Sequence, residues 1–287
     1  MRRKESGLVA AVVALATAAA APGSDALAQG AAWSAQAVPL APHRAVYDLR
    51  LAQSRGKQSL EAVTGRILYD FTGNACDGYS LNFRQVTELD SGEGTQTVSD
   101  LRSSNWEDAS GLHFRFTLEN RINGKEIDIS EGAAERNGDS VTVAMKRPKA
   151  RNLSMGNVVF PSEHMRRIIA AAREGRSLLE AATYDGAETG EKAYNSLAVI
   201  GQPIPPGTRT PDDPAGTQAA LKGLTRWPMT ISYFDRAEKG GDQTPSYSIS
   251  FELYENGIAR NVKLDYGDFV LDGALTSLDL KDEKPCK

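Results

Sequence analysis

Residues 112–119 read LHFRFTLE, so that apolar and polar side chains alternate along the whole stretch. This period of two is typical of a β-strand with one buried face and one solvated face. The same alternation recurs in residues 79–83, 229–233 and 247–253. Because such runs are spread over most of the chain, the sequence predicts a mainly β protein.

Asparagine–glycine pairs separate several of these runs, at residues 123–124, 137–138 and 256–257. Both residue types tolerate the positive φ angles that tight two-residue hairpin turns require. Short strands joined by tight turns form antiparallel meanders. We therefore expect an antiparallel meander.

One segment, residues 163–174, departs from the strand period and predicts an α-helix. Ser162 precedes it as a predicted N-cap, and Gly175 follows it as a predicted C′ residue. The helical spacing i, i+3, i+4 and i+7 defines one apolar stripe, which consists of Met165, Ile168, Ile169 and Ala172. A single amphipathic helix among strands has to bury this stripe against the sheet. The mouth or bore of a curved sheet is the simplest place, and an outer face of the sheet is the alternative.

The first 28 residues have the features of a cleaved export signal. Three basic residues precede an apolar run at residues 8–21, and a small-residue site follows at residues 26–28. A retained anchor is the less favoured interpretation, because the apolar run is too short to span a bilayer. The sequence thus predicts a signal peptide at 1–28, a flexible arm at 29–42 and one domain at 43–287.

Prolines concentrate in residues 202–222, inside this predicted domain. Proline cannot donate a hydrogen bond to a central strand ladder, so this stretch is predicted to be a surface loop. A domain boundary is the alternative. We favour an insertion, because strand patterns continue on both sides of the loop and the two cysteines of the chain bracket it.

The composition of the 287-residue chain restricts its partners. An apolar share of 40% is typical of a globular protein, and a net charge of −4 gives no reason to expect nucleic acid. After removal of the signal peptide, no stretch of the chain is apolar enough to span a membrane. We therefore expect a globular, exported protein with no nucleic-acid partner.

The chain contains two cysteines, Cys76 and Cys286. In an exported protein two cysteines usually form a disulfide, because the compartment outside the cytosol is oxidising. A redox pair or a metal site is the alternative. A redox pair is disfavoured because its two cysteines are normally close together in the sequence. A structural bond is the favoured interpretation.

The sequence offers little for catalysis. Its three histidines are His43, His113 and His164, and no two of them have metal-ligand spacing. A Gly-x-Ser-x-Gly elbow and a glycine-rich phosphate loop are both missing. We therefore predict no catalytic residue, no cofactor and no metal. His164, with carboxylates near it, is the one candidate for an enzymatic site.

Contacts with a ligand or partner are expected from two sources. The helix supplies Met165, Arg166, Ile168 and Ile169, and the strands supply Trp106 and Trp227. Aromatic residues on strands usually fill the core, and a greasy ligand cavity inside a curved sheet is the functional alternative. The arginine is suited to an acidic headgroup or partner, although most such residues lie on a solvated helix face.

Seven short blocks, in this order along the chain, resemble the EipB (cell-envelope integrity protein B) family. They are residues 43–48, 76–79, 160–164, 184–186, 198–201, 226–228 and 252–257. The resemblance extends from His43 to Cys286. It implies a periplasmic protein with a spiral, open β-barrel of antiparallel strands around a central helix, which residues 163–174 would form. It also implies a disulfide between Cys76 and Cys286.

The resemblance implies a role in maintaining the cell envelope under stress, and no enzymatic activity. Our first hypothesis is therefore a non-enzymatic periplasmic protein that supports envelope integrity. It would bind an envelope protein or an apolar, lipid-like ligand through the concave face of its sheet. The alternative is a periplasmic hydrolase acting on a cell-wall or lipid substrate, with His164 in its site.

Overall fold

The structure is a computed structural model that describes residues 38–56, 60–92, 94, 96–208, 213–237 and 243–282. The predicted signal peptide, most of the predicted arm and Cys286 lie outside the described residues.

Fourteen strands make up most of the described chain. In chain order they are β1 His43–Ser54, β2 Ala62–Asn74, β3 Gly78–Asp90, β4 Gln96–Glu107, β5 His113–Ile122, β6 Lys125–Asn137, β7 Ser140–Arg147, β8 Arg151–Gly156, β9 Leu178–Thr183, β10 Tyr194–Ile200, β11 Arg226–Asp235, β12 Tyr247–Tyr254, β13 Ala259–Asp265 and β14 Phe269–Leu280. Helix α1, Pro161–Arg173, connects β8 to β9. Helix α2, Ala219–Lys222, and two short 3-10 helices, Glu188–Gly190 and Pro214–Thr217, lie in later connections.

All fourteen strands belong to one antiparallel sheet, in the order β8-β7-β6-β5-β4-β3-β2-β1-β14-β13-β12-β11-β10-β9. The first and last strands are neighbours in the middle of this order, where His43 pairs with Leu280. The two ends of the order, β8 and β9, do not pair with each other, so the sheet is open. The predicted mainly β, open-barrel fold with one central amphipathic helix is confirmed.

The alternation read from the sequence corresponds to the two faces of the sheet. In β5, Phe114 and Phe116 are buried, whereas His113 and Arg115 are exposed. The hairpin between β5 and β6 turns at Asn123 (φ 51°) and Gly124 (φ 77°), as the asparagine–glycine pair predicts. The period of two therefore places one side of each strand in the core.

Helix α1 begins earlier than its sequence predicts. Pro161 occupies the first turn and Phe160 is the N-cap residue, so the prediction of Ser162 as N-cap is wrong. Proline suits this position, because its ring fixes a helical φ and the missing N–H has no partner there. At the other end Gly175 has φ 72°, and the Arg176 N–H bonds the Ala171 carbonyl at 3.0 Å. That arrangement is the predicted glycine-terminated helix end.

Helix α1 lies against the concave face of the sheet. Of its 13 residues only Arg173 is exposed. Ile168 and Ile169 join a core cluster with residues from β1 to β3 and β10 to β14. Phe160, just before the helix, belongs to a second cluster with residues of β5 to β8. The helix therefore connects the two hydrophobic cores of the curved sheet.

Part of the proline-rich stretch 202–222 is buried, although the sequence predicts a surface loop. Asp213, Ala215 and Leu221 are each at most 6% exposed. The pairing of β13 with β14 extends only from Val262 to Asp265, so the two strands diverge at the start of β13. The 3-10 helix Pro214–Thr217 packs on β14 there.

The last residues of the predicted arm are also held in place. Val38 and Leu40 are buried, and the Leu40 N–H donates to the Tyr79 hydroxyl at 3.1 Å. The Ala41 N–H donates to the Asn256 carbonyl at 2.8 Å. Two apolar side chains thus fix residues 38–42 against the sheet. Among the described residues, no helix has the length and apolar character needed to span a membrane.

Candidate functional site

A cavity of about 160 Å³ lies between the start of α1 and the concave face of the sheet. The helix contributes Pro161, Ser162, His164 and Met165 to its lining. Strands from both halves of the sheet supply the remaining walls, together with residues 40–43 and the segment that follows β9. A partly enclosed apolar cavity with a few convergent polar groups is the usual form of a small-molecule site.

One wall of the cavity is a ladder of aromatic rings. The rings of His43 and Tyr69 stack with their centroids 5.4 Å apart, and Phe71 lies 6.1 Å from Tyr69. Beyond Phe71 the ladder continues to Tyr79 at 5.1 Å. Stacked pairs at such distances add attraction beyond the burial of their area. This wall therefore consists of stacked rings and is mainly apolar.

The polar end of the cavity contains His164, Asp185 and Tyr233. The His164 and Tyr233 rings meet edge to face with centroids 6.5 Å apart. Burial raises the pKa of the Asp185 carboxyl, against the effect of the hydrogen bond that its Oδ1 accepts from the Ala187 N–H at 2.9 Å. Burial also raises the pKa of the Tyr233 hydroxyl. Polar groups held away from bulk water thus converge at this end.

His164 is fixed by a strand of the sheet. Its Nε2 lies 3.1 Å from the hydroxyl oxygen of Ser196 on β10. The Ser196 hydroxyl donates to the Ala181 carbonyl on β9 at 3.0 Å. Burial, with a smaller contribution from the Arg167 guanidinium, lowers the pKa of the His164 ring to about 4. The ring is therefore neutral near pH 7, and it links α1 to the edge of the sheet.

The start of α1 is fixed by Glu107, the last residue of β4. Its two carboxylate oxygens accept the N–H groups of Ser162 at 2.6 Å and Glu163 at 2.8 Å. An acceptor from another strand thus satisfies two amide groups that a helix start leaves without intrahelical partners. Burial raises the pKa of this carboxyl to about 7, although both N–H groups and the buried Arg166 oppose the shift. The local sequence pattern does not indicate this contact, because the two partners are 55 residues apart.

The residues predicted to contact a ligand or partner do not come together. Met165 lines the cavity. Ile168 and Ile169 are completely buried in the core, and Trp227 is 5% exposed. Three of the six side chains thus fill the core and leave little or no surface for a partner.

The other two predicted contacts lie away from the cavity lining. Arg166 is 2% exposed, and its guanidinium lies 3.8 Å from Glu107. This arginine does not lie on a solvated helix face. Trp106 lies on the opposite face of β4 from Glu107, where the guanidinium of Arg115 covers its ring at 4.2 Å. The aromatic wall contains instead His43, Tyr69 and Phe71, whose shared face follows from the alternation of β1 and β2.

A wider cleft of about 710 Å³ crosses the outer face of the sheet. Its charged lining includes Arg50, Lys263 and Asp272, on three neighbouring strands. The cleft is broad and open to solvent, so it offers less apolar enclosure than the concave face. Within the described chain, no three His, Cys, Asp or Glu side chains are grouped so that they could hold a metal ion.

The sequence of this chain matches a known protein family. The profile of the EipB-like family matches residues 34–282. This chain belongs to the EipB-like family. Cell envelope integrity protein EipB of Brucella abortus (strain 2308) is 36% identical over 253 residues, which cover 88% of this chain and 89% of the relative.

A crystal structure agrees with the fold. It is of a beta-barrel-like protein of a domain of unknown function from Brucella abortus, and it superposes with a TM-score of 0.80 at 36% identity. The match covers 86% of this chain and the whole of the solved chain. The predicted EipB membership is therefore confirmed, and the relationship supports a role in cell-envelope integrity.

Proposed function

We propose that this EipB-like protein is a non-enzymatic periplasmic factor in cell-envelope integrity that binds an apolar ligand in the cavity on its concave face. The observation that supports this proposal is the combination of an aromatic wall with one polar end, beside a helix whose first turn is held by Glu107 and Ser196. Such a lining holds an apolar body on one side and orients a single polar group on the other.

The size of the cavity restricts what it accommodates. Its 160 Å³ is close to the roughly 150 Å³ of an engineered protein cavity that binds benzene. Pockets for drug-sized ligands span about 300–1,000 Å³. The cavity therefore suits a group of about six carbon atoms, such as a short chain or the end of a longer acyl chain. An apolar side chain of an envelope protein has similar dimensions, and it is the competing occupant.

A cavity-filling substitution tests the proposal. Met165→Trp places a larger side chain in the lining, whereas Val199→Trp changes a residue that is 47% exposed on the outer face. Each variant would complement a strain that lacks the native gene, and survival under envelope stress would be measured at equal periplasmic abundance. We expect Met165→Trp to lose protection and Val199→Trp to keep it. Full protection by Met165→Trp, with a folded protein, would contradict the proposal.

Direct recovery of the occupant complements this test. The protein would be purified from the periplasm without detergent, and native mass spectrometry and lipid extraction would be applied to the same sample. A reproducible small apolar molecule in the native protein, absent from Met165→Trp, supports ligand binding. A sample with no such molecule that instead retains an envelope protein supports the competing occupant.

The alternative function, a hydrolase, is supported by the contact between His164 and Ser196. The serine proton is directed at the Ala181 carbonyl, however, and Ser196 is 2% exposed. No carboxylate bonds the His164 ring among the described residues, so the third member of a catalytic triad is missing there. We therefore favour binding. Retained envelope protection in a folded His164→Ala variant would exclude the hydrolase.

A further inference from the structure

The lining of the cavity contains few charged side chains. None of its described lining residues is a lysine or an arginine, and Asp185 is the one acidic side chain among them. An anionic ligand group would therefore lose its hydration without a cationic partner in the part of the lining that the structure describes, and it would lie near a carboxyl. Arg167 and Lys281 interact electrostatically with His164 and His43 from outside the lining. This lining disfavours carboxylate and phosphate groups.

The two histidines of the lining present acceptor atoms. A carbonyl oxygen only accepts, so the 2.7 Å contact between His43 Nδ1 and the Ala41 carbonyl places the proton on Nδ1. Burial lowers the pKa of His43, so the ring is neutral and Nε2 is left as an acceptor.

The same reasoning applies to His164. Because the Ser196 hydroxyl donates to the Ala181 carbonyl, the 3.1 Å contact with His164 requires Nε2 to donate to the serine oxygen. The neutral ring then has its second nitrogen, Nδ1, as an acceptor. Each histidine thus uses its proton within the protein, and each keeps a lone pair on the other nitrogen.

From the lack of cationic side chains among the described lining residues and from the acceptor nitrogens of the two histidines, we infer that the cavity is selective for an uncharged amphiphile. The polar group of this amphiphile donates a hydrogen bond, as an alcohol hydroxyl does. His164 and the Asp185 carboxyl, at the polar end of the cavity, are the groups that would receive that donor, and His43 offers a second acceptor on the aromatic wall. Carboxylates and phosphates, which are anionic, fit this lining poorly. An ether can accept a hydrogen bond from the Tyr233 hydroxyl, but it leaves the imidazole acceptors without a donor. The inference rests on the proposed function, because it concerns the ligand of the same cavity.

Three probes with short chains separate these possibilities. They are 1-hexanol, its isomer methyl pentyl ether, and hexanoate. Each would be titrated into the full mature protein while the methyl resonance of Met165 is followed by NMR. We expect 1-hexanol to bind at least about tenfold more tightly than either of the other two. The isomeric pair has the same composition and nearly the same apolar area, so its difference reports the exchange of a hydroxyl donor for an ether oxygen.

The outcomes distinguish the inference from the proposed function. Equal or tighter binding of the ether or of hexanoate would overturn the inference and leave apolar binding in place. If none of the three probes shifts the Met165 resonance, the proposed ligand-binding function itself fails.

Asp185→Asn adds a test of the charge. We expect hexanoate to bind about tenfold more tightly to this variant than to the native protein. Asp139→Asn, at an exposed turn between β6 and β7, is the matched control and should change neither probe. Unchanged hexanoate binding in a folded Asp185→Asn variant would contradict the role of the carboxyl. If that variant does not fold, Asn105→Asp in the same lining should weaken hexanoate more than 1-hexanol.

Discussion

The carboxylate of Glu107 lies 2.6 Å from the backbone nitrogen of Ser162, and this contact joins the end of β4 to the first turn of α1. The same carboxylate accepts the next N–H of the helix and lies 3.8 Å from the buried guanidinium of Arg166. One side chain thus caps the helix and compensates a buried charge. Because α1 forms part of the cavity lining, this contact also positions the candidate site.

Removal of this side chain should destabilise the protein strongly. Glu107→Ala leaves the Ser162 N–H without its acceptor and Arg166 without its buried counter-charge. Loss of one partner of a buried ion pair costs roughly 3–5 kcal/mol, and loss of a cap costs about 1 kcal/mol. We expect a loss of at least about 3 kcal/mol in the free energy of unfolding, measured by urea denaturation. Glu88→Ala, at an exposed position of β3, should cost less than about 0.5 kcal/mol. Similar costs for the two variants would show that Glu107 does not anchor the helix.

Acidification should weaken the protein through His164. The folded protein holds this ring with a pKa of about 4, against 6.5 in the unfolded chain. Between these values the unfolded chain binds the proton and the folded protein does not. The stabilisation that comes from the neutral His164 ring is therefore fully present above pH 6.5, and it is lost as the pH falls towards 4. The shift corresponds to about 3 kcal/mol.

His164→Gln should remove this dependence. The free energy of unfolding of the native protein relative to the variant should fall by about 3 kcal/mol between pH 7.5 and pH 4. This difference between the two proteins is the quantity to compare. The raised pKa of Glu107 changes the stability of both proteins with pH in the opposite direction, so its contribution cancels. His113→Gln, at an exposed position of β5, serves as the control. A constant difference across this range would disprove burial of a neutral His164.

Buried and exposed charges on one strand should differ in their effect on stability. Arg260 is 1% exposed, and its Nε lies 3.2 Å from the Asp213 carboxylate. Lys263, three residues later on β13, pairs with Asp272 at 3.4 Å while 54% of its side chain is exposed. Arg260→Met should cost roughly 3–5 kcal/mol, and Lys263→Met at most about 1 kcal/mol. Chemical denaturation of both variants measures the difference, and equal costs would contradict the buried role of Asp213.

The strands and the end of the helix were predictable because their determinants are local. Alternation around Phe114 fixes which face is buried, and the positive φ of Asn123 follows from the turn type. Gly175 ends the helix through its own backbone freedom. The open barrel and the central helix followed from the resemblance to EipB, which depends on the order of short blocks along the whole chain.

The details of the site depend on contacts between distant residues, which local patterns do not contain. Glu107 caps a helix that begins 54 residues later, so Ser162 was wrongly predicted to supply the cap itself. In the sequence Asp213 lies in a proline-rich stretch that predicts a surface loop. In the fold β13 and β14 diverge beside it, and Asp213 is buried. The protonation pattern of His43 and His164 depends on single acceptors, Ala41 and Ser196, which only the fold brings near.

Gly186, next to Asp185 of the cavity, should be intolerant of any side chain. Its φ is 78°, and an added Cβ would lie 2.2 Å from Cδ2 of the buried Phe116. Gly138 also has a positive φ, 60°, but no atom lies within 4 Å of an added Cβ. Gly138→Ala should therefore cost about 1–2 kcal/mol, the conformational penalty alone. Gly186→Ala should cost a further 1–3 kcal/mol or so, because Phe116 has to move. Thermal denaturation of the pair tests this, and equal melting temperatures would contradict the close packing.

Cys76 lies where a bond to the C-terminus is sterically feasible. The strands β14 and β2 both run antiparallel to β1, where His43 pairs with Leu280 on one side and with Phe71 on the other. β14 and β2 therefore run in the same direction. The end of β14 and the turn that contains Cys76 lie at the same end of their strands. The two strands are about 10 Å apart, and the five Cα-to-Cα steps from Lys281 to Cys286 can span about 17 Å. Cys286 itself lies outside the described residues, so the bond remains a prediction.

The bond would close a loop of about 210 residues (286 minus 76), for which the chain-entropy model gives roughly 5 kcal/mol of stabilisation as an upper figure. Mass spectrometry of the exported protein under non-reducing conditions should find no free thiol. Cys76→Ser and Cys286→Ser should each lower the free energy of unfolding by up to that amount, and the double variant should cost no more than either single one. Two reactive thiols in the exported protein, or additive costs for the two substitutions, would show that the cysteines act independently. The C-terminal strand would then be held to the sheet by its pairing with β1 and β13 alone.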